Sequence, residues 1–178
     1  MKRIMLLLTI FGAVLASSCE GPPGFDGIQG PPGPSGPSGS ASEVFELRNV
    51  NFSLNANNEY TIYRQLNPVI LLSDNILIYR LSGTIDPQTP IWQLIPRTLY
   101  LQQGELDYDF DFSLEDFTIY AGGTYNLATT PSYLNNQTFR IVILQGYLSN
   151  KKGGVAIEDY NAVMAAYHID ASHIKSIK

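Results

Sequence analysis

The chain has 178 residues, a formal net charge of −5 and a single cysteine, and this length allows one globular domain with additional segments. An acidic chain does not present the basic surface that phosphate backbones attract, so we expect no nucleic-acid partner. One cysteine allows no intramolecular disulfide, so a folded domain must be stabilised by its hydrophobic core alone.

The N-terminus has the pattern of a secretory signal peptide. Lys2 and Arg3 precede an apolar run at 4–16, and small residues then lead to Cys19. The run is shorter than the roughly 20 apolar residues that a membrane-spanning helix needs. We therefore predict a signal peptide over residues 1–18 and export of the mature chain.

The position of Cys19, directly after the small residues of the cleavage site, resembles the lipobox of bacterial lipoproteins. Leu15 lies four places before this cysteine, where that family usually has three. The resemblance implies that Cys19 becomes the mature N-terminus and carries acyl chains that attach the protein to a membrane. The alternative is an ordinary signal peptide that leaves a free or intermolecularly bridged thiol. On the first interpretation we expect a cell-envelope protein, an outer-membrane lipoprotein that faces the periplasm or the cell surface.

A strict repeat follows the cysteine. Glycine occupies every third position through seven triplets, at Gly21, Gly24, Gly27, Gly30, Gly33, Gly36 and Gly39. This period, together with proline, is typical of collagen, because only glycine fits at the axis of three polyproline-II strands. We predict a collagen-like stalk over residues 19–42, which include the lipidated cysteine. The stalk is either a triple helix of about 60 Å or a monomeric spacer.

Residues 43–178 predict an all-β head, an antiparallel β-sandwich that is jelly-roll-like. Runs of β-branched and aromatic residues are separated by Asn, Asp, Gly and Pro at intervals of about ten residues. The clearest strand is 105–114, where five apolar side chains alternate with polar ones. The other predicted strands are 44–54 with a bulge near Asn49, 60–66, 75–85, 91–102 interrupted by Pro96, 117–121 and 138–144.

The C-terminal part of the head has a different pattern. Residues 158–167 place Val163, Met164 and Tyr167 at helical spacing, with Glu158 and Asp159 in the first turn. We predict a short helix packed on the sandwich, followed by a tail that frays near residues 175–178.

Acidic residues alternate along the strand 105–114. Neighbours on the same face of a strand lie about 6.5–7 Å apart, so these carboxylates repel one another unless something neutralises them. A calcium ion bound by Asp107, Asp109 and Asp111, beside Glu105, is one interpretation. A solvated edge that discourages aggregation is another. The third is neutralisation by an arginine on a neighbouring strand, with the candidates Arg64, Arg80 and Arg140.

No arrangement of residues predicts an enzyme. His168 and His173 do not have the spacing of zinc ligands, and no serine lies in a nucleophile-elbow pattern. Calcium is the only cofactor that the sequence suggests. The aromatic candidates for stacking on a sugar or anchoring a protein are Trp92, Tyr100, Tyr120, Tyr133 and Tyr147.

The lipobox, the Gly-X-Y repeat and the β-rich head together resemble the short collagen-like lipoproteins of Gram-negative bacteria, whose C-terminal domain has no assigned activity. In size and all-β character the head is also similar to the trimerising heads of complement and tumour-necrosis-factor type. The resemblance implies a structural or adhesive surface lipoprotein, held to the membrane by acyl chains on Cys19 and assembled as a homotrimer. The alternative is a monomeric glycan- or calcium-binding module on a spacer. Neither interpretation identifies the external protein or glycan partner.

Overall fold

The computed structural model of the protein describes residues 42–146, 155–170 and 174–177, all of them in the unit Ser38–Lys178. The predicted signal peptide, Cys19 and the seven stalk glycines lie outside the described residues. So do Tyr147 and His173.

Ten strands and a short helix make up the described part of the chain. The strands are β1 (Glu43–Val50), β2 (Ser53–Leu54), β3 (Tyr60–Gln65), β4 (Asn75–Asp86), β5 (Thr89–Ile95), β6 (Arg97–Leu101), β7 (Gly104–Phe112), β8 (Asp116–Gly123), β9 (Gln137–Leu144) and β10 (Lys175–Ile177). The helix α1 (Tyr160–Ala166) lies between β9 and β10, and two 3-10 turns, Leu127–Thr129 and Pro131–Tyr133, connect β8 to β9.

The strands form two five-stranded sheets. Sheet A has the order β10-β1-β9-β4-β5, and sheet B has the order β2-β3-β8-β7-β6. All pairings are antiparallel except that of β1 with β10. A single apolar core joins the two sheets, with Leu47, Ile78 and Ile141 from sheet A and Leu106 and Ile119 from sheet B. The mainly β, two-sheet head of the prediction is therefore confirmed.

A jelly roll has two successive Greek keys. Here β4 pairs with β5, and β6, β7 and β8 form a meander, so most strands in the middle of the chain pair with their sequence neighbours. The jelly-roll-like part stays a prediction, since β1 pairs with β9 and β3 with β8 across the chain.

The outer face of sheet A is covered. Along β4, Ile76 and Ile78 face sheet B, whereas Leu77 and Tyr79 belong to a second apolar cluster. The helix α1 completes that cluster, as predicted, with Tyr160, Val163 and Met164. The Asp159 side chain caps the helix by accepting hydrogen bonds from the backbone N–H groups of residues 161 and 162, at 2.9 and 3.2 Å.

Two predictions for the strands need correction. Residues 44–54 are not one bulged strand: the register shifts at Asn49 as predicted, but β1 then ends and β2 joins the other sheet. The described part of the tail does not fray, because β10 pairs with β1 and satisfies hydrogen-bonding groups that a sheet edge leaves open. Pro96 interrupts its strand as predicted, and the chain passes there from sheet A to sheet B.

Candidate functional site

The outer face of sheet B carries the acidic residues of β7. Because side chains alternate along a strand, the burial of Leu106 and Tyr108 in the core turns Asp107, Asp109 and Asp111 to the opposite side. We call this surface the acidic face and define it by the β7 carboxylates and the tyrosines beside them: Glu105, Asp107, Asp109, Asp111, Tyr63, Tyr100 and Tyr120.

Hydrogen bonds tie two tyrosines of the acidic face to carboxylates. The Tyr120 hydroxyl donates to Asp111 at 2.9 Å, and the Tyr63 hydroxyl donates to Asp116 at 3.2 Å. Each hydrogen bond stabilises the neutral phenol and so raises the pKa of its tyrosine above the ordinary value. The exposed ring of Tyr63 and the half-buried ring of Tyr120 are thereby held in fixed positions next to negative charge.

The arginines proposed as neutralising partners lie elsewhere. Arg140 pairs with Glu46 of sheet A at 2.8 Å, and Arg80 donates to Gln137 at 2.9 Å inside the core. Arg64 lies opposite the buried Phe117, on the inward side of β3. The interpretation of neutralisation by arginine is therefore wrong, since both ion pairs of the described residues involve Glu46.

Calcium binding by the acidic residues of β7 stays a prediction. The strand spaces Asp107, Asp109 and Asp111 along a line, about 6.5–7 Å between neighbours, rather than around one point. Among residues 42–146, 155–170 and 174–177, no three side chains of metal-ligand type come together.

The aromatic residues chosen from the sequence divide between surface and interior. Tyr100 is 81% exposed and belongs to the acidic face with Tyr120. Trp92 instead lies beneath Arg140, whose guanidinium carbon is 4.1 Å from the centroid of the Trp92 ring. Tyr133 packs against the core. Sequence reasoning missed Tyr63, although the alternation of β3 would have turned it outward with Thr61 and Gln65.

A second surface is apolar and lies at one end of the sandwich. The loop between β3 and β4 and the turn between β7 and β8 leave large apolar side chains in solvent there. We call these residues the basal patch: Val69, Leu71, Leu72, Phe112 and Leu114, which are 57%, 48%, 82%, 39% and 39% exposed.

Hydrogen bonds connect the basal patch to residue 42, the first residue that the structure describes. The N–H of Ile70 donates to the Leu114 carbonyl at 2.9 Å, which joins the loop to the turn. Asp74 accepts from the N–H groups of Leu71 and Gly146 at 2.9 and 3.0 Å. The neighbouring Gln145 N–H donates to the Ser42 hydroxyl at 3.0 Å. Residue 42 and the basal patch therefore share one end of the head.

Comparison with protein families, with curated proteins and with solved structures finds no match for this chain. Within the part of the chain that the structure describes, no helix is both long and apolar enough to traverse a bilayer.

Proposed function

We propose that this chain is a structural or adhesive lipoprotein of the bacterial cell envelope. Acyl chains on Cys19 hold it to the membrane, the Gly-X-Y segment serves as a stalk, and three β heads assemble at the end of that stalk. The acidic face is the surface displayed to the surroundings. The proposal includes no catalytic step.

The basal patch is the observation that carries the proposal. A collagen triple helix holds three strands side by side, so three copies joined by their Gly-X-Y segments would enter their heads close together. The basal patch lies at the end of the head that residue 42 occupies. Exposed apolar side chains would then meet those of neighbouring copies, and their burial would stabilise the trimer.

Sedimentation of the full chain in detergent tests the trimer, with two matched variants. Leu72 of the basal patch is 82% exposed, and Ile85, near the tip of the β4–β5 hairpin, is 74% exposed. Neither side chain is packed in the core, so either can be replaced by Glu without unfolding the head. We expect Leu72→Glu to raise the concentration for half-dissociation at least about tenfold, because charge at an apolar contact is costly. Ile85→Glu should leave the trimer unchanged.

Two outcomes would contradict the proposal. If the wild-type chain sediments as a monomer, the proposed trimer is wrong. If both variants weaken the trimer equally, the basal patch is not the contact between its copies. Circular dichroism of each variant should match that of the wild type, which keeps loss of assembly distinct from loss of fold.

A binding module for glycans is the second candidate, and the acidic face favours it. Exposed aromatic rings stack on the apolar faces of sugars, and carboxylates accept hydrogen bonds from their hydroxyls. Tyr63 and Tyr120 are positioned by carboxylates, and Tyr100 is the most exposed tyrosine of this face. On this alternative, Tyr100→Ala lowers retention on a panel of immobilised glycans, while Leu72→Glu does not. A panel that retains wild type and Tyr100→Ala equally would exclude it.

A further inference from the structure

A cavity of about 590 Å³ opens where the start of β1, the residues after β3 and the segment after α1 meet. This volume falls within the range of about 300–1,000 Å³ that is usual for small-molecule sites. Most of its wall is apolar and comes from β1, β9, the residues after β3 and the segment after α1: Val44, Phe45, Leu66, Pro68, Ile143 and Ile169.

Arg64 contributes a guanidinium to the lining of this cavity. Its register opposite the buried Phe117 directs Arg64 inward, between the sheets. Nη1 donates to the Tyr63 carbonyl at 2.7 Å, whereas the buried Nε has no hydrogen-bond partner among the described residues. The edge formed by Nε and Nη2 makes no ion pair or hydrogen bond with the described residues.

A buried donor on a cation is costly when it is left without an acceptor. Nε and Nη2 form the edge through which arginine binds a carboxylate with two parallel hydrogen bonds. The unpaired edge of Arg64 therefore points to a carboxylate as the group that the cavity accepts.

The other charges around the cavity limit the ligand to a single negative charge. Lys175 adds a second cation to Arg64, while Glu43 and Asp170 add two carboxylates, and His168 completes the titratable lining. Since these charges nearly cancel, a phosphate dianion would meet too little positive charge, whereas a monoanion can pair with Arg64 alone.

We propose that this cavity binds an amphiphilic monocarboxylate, with the carboxylate on the Nε–Nη2 edge of Arg64 and the apolar body against the walls from β1 and β9. This site shares no residue with the acidic face or with the basal patch, although Pro68 of its wall is next to Val69 of the patch, and the proposal does not depend on the display function. A medium-chain fatty acid has the required chemistry.

Photo-crosslinking on the full chain in lipid nanodiscs tests the site with a decanoic acid that carries a diazirine on its alkyl chain. Peptide mapping should place the label on residues 42–45, 64–68 or 168–170. An excess of decanoate should abolish the label, and an excess of decanol should not, because decanol lacks the carboxylate. Mapping the label separates binding in the cavity from partition into the bilayer.

Variants of arginine provide the matched comparison. We expect Arg64→Met to reduce the label at least about tenfold, since it removes a charge-assisted pair. Arg64→Lys keeps the charge but loses the double hydrogen bond, and its label should be intermediate. Arg97→Met changes an exposed arginine of β6 that does not line the cavity and should leave the label unchanged. Equal labelling of Arg64→Met and wild type, competition by decanol, or label confined to other peptides would overturn the proposal.

Discussion

Glu46 places a carboxylate on the side of sheet A that faces α1, with only 4% of the residue exposed. Its partner Arg140 lies directly across from it on β9 and reaches its carboxylate at 2.8 Å. The Arg140 guanidinium also lies over the rings of Trp92 and Tyr160, 4.1 and 4.9 Å from their centroids. A charge buried with its partner and stacked on aromatic rings is tolerated where an isolated one would not be.

Removal of Arg140 should therefore be far more damaging than removal of an exposed arginine. We expect Arg140→Met to lower the free energy of unfolding by about 3 kcal/mol, because Glu46 keeps its burial but loses its buried partner. Arg48 also pairs with Glu46, but its side chain is 59% exposed, so Arg48→Ala should cost less than about 1 kcal/mol. Urea denaturation of both variants measures the difference. Equal losses of stability would show that the buried pair does not stabilise the fold.

At the scale of elements, the strand β7 shows how far alternation in the sequence can be trusted. The five apolar side chains that alternate over residues 105–114 predict one buried face, and Leu106 and Tyr108 of β7 are indeed almost fully buried. Burial decreases along the strand, and Phe112 is 39% exposed because the strand reaches the end of the sandwich there. The alternation of apolar and polar residues therefore predicts the face to which a side chain points. The position of the residue in the sandwich decides how deeply that side chain is buried.

The helix α1 is held in place by its cap and by the second apolar cluster. Asp159→Ala removes the acceptor of two backbone N–H groups and should cost about 1 kcal/mol of stability. Glu158→Ala changes the adjacent exposed carboxylate, which accepts neither of these two hydrogen bonds, and should have little effect. Thermal unfolding of the two variants distinguishes a cap from a general effect of negative charge. A larger loss for Glu158→Ala would contradict the assigned cap.

Element types were predictable from local pattern, and element partners were not. The runs of β-branched and aromatic residues predicted strands at 75–85 and 138–144, which are β4 and β9, and the spacing of Val163 and Met164 predicted a helix. Local pattern contains no information on which sheet a strand joins, so the separation of β2 from β1 and the pairing of β10 were missed. The basal patch and the cavity beside Arg64 were missed for the same reason, since exposure and enclosure depend on distant parts of the chain.

At the scale of the whole molecule, the two outer faces of the sandwich differ in how they meet solvent. The helix α1 and its cluster cover sheet A, whereas the acidic face of sheet B presents carboxylates and tyrosines. The end that contains residue 42 is apolar. A head of this kind suits a trimer that meets at its base and displays its acidic faces outward, which is the arrangement that we propose.

Native mass spectrometry tests this arrangement most directly, on the full chain produced with its own N-terminus in a bacterium that processes lipoproteins and extracted in mild detergent. The proposal predicts a complex of three copies, each beginning at Cys19 and each heavier than its polypeptide by the mass of acyl chains. Single copies, or copies that keep residues 1–18 or an unmodified Cys19, would contradict it.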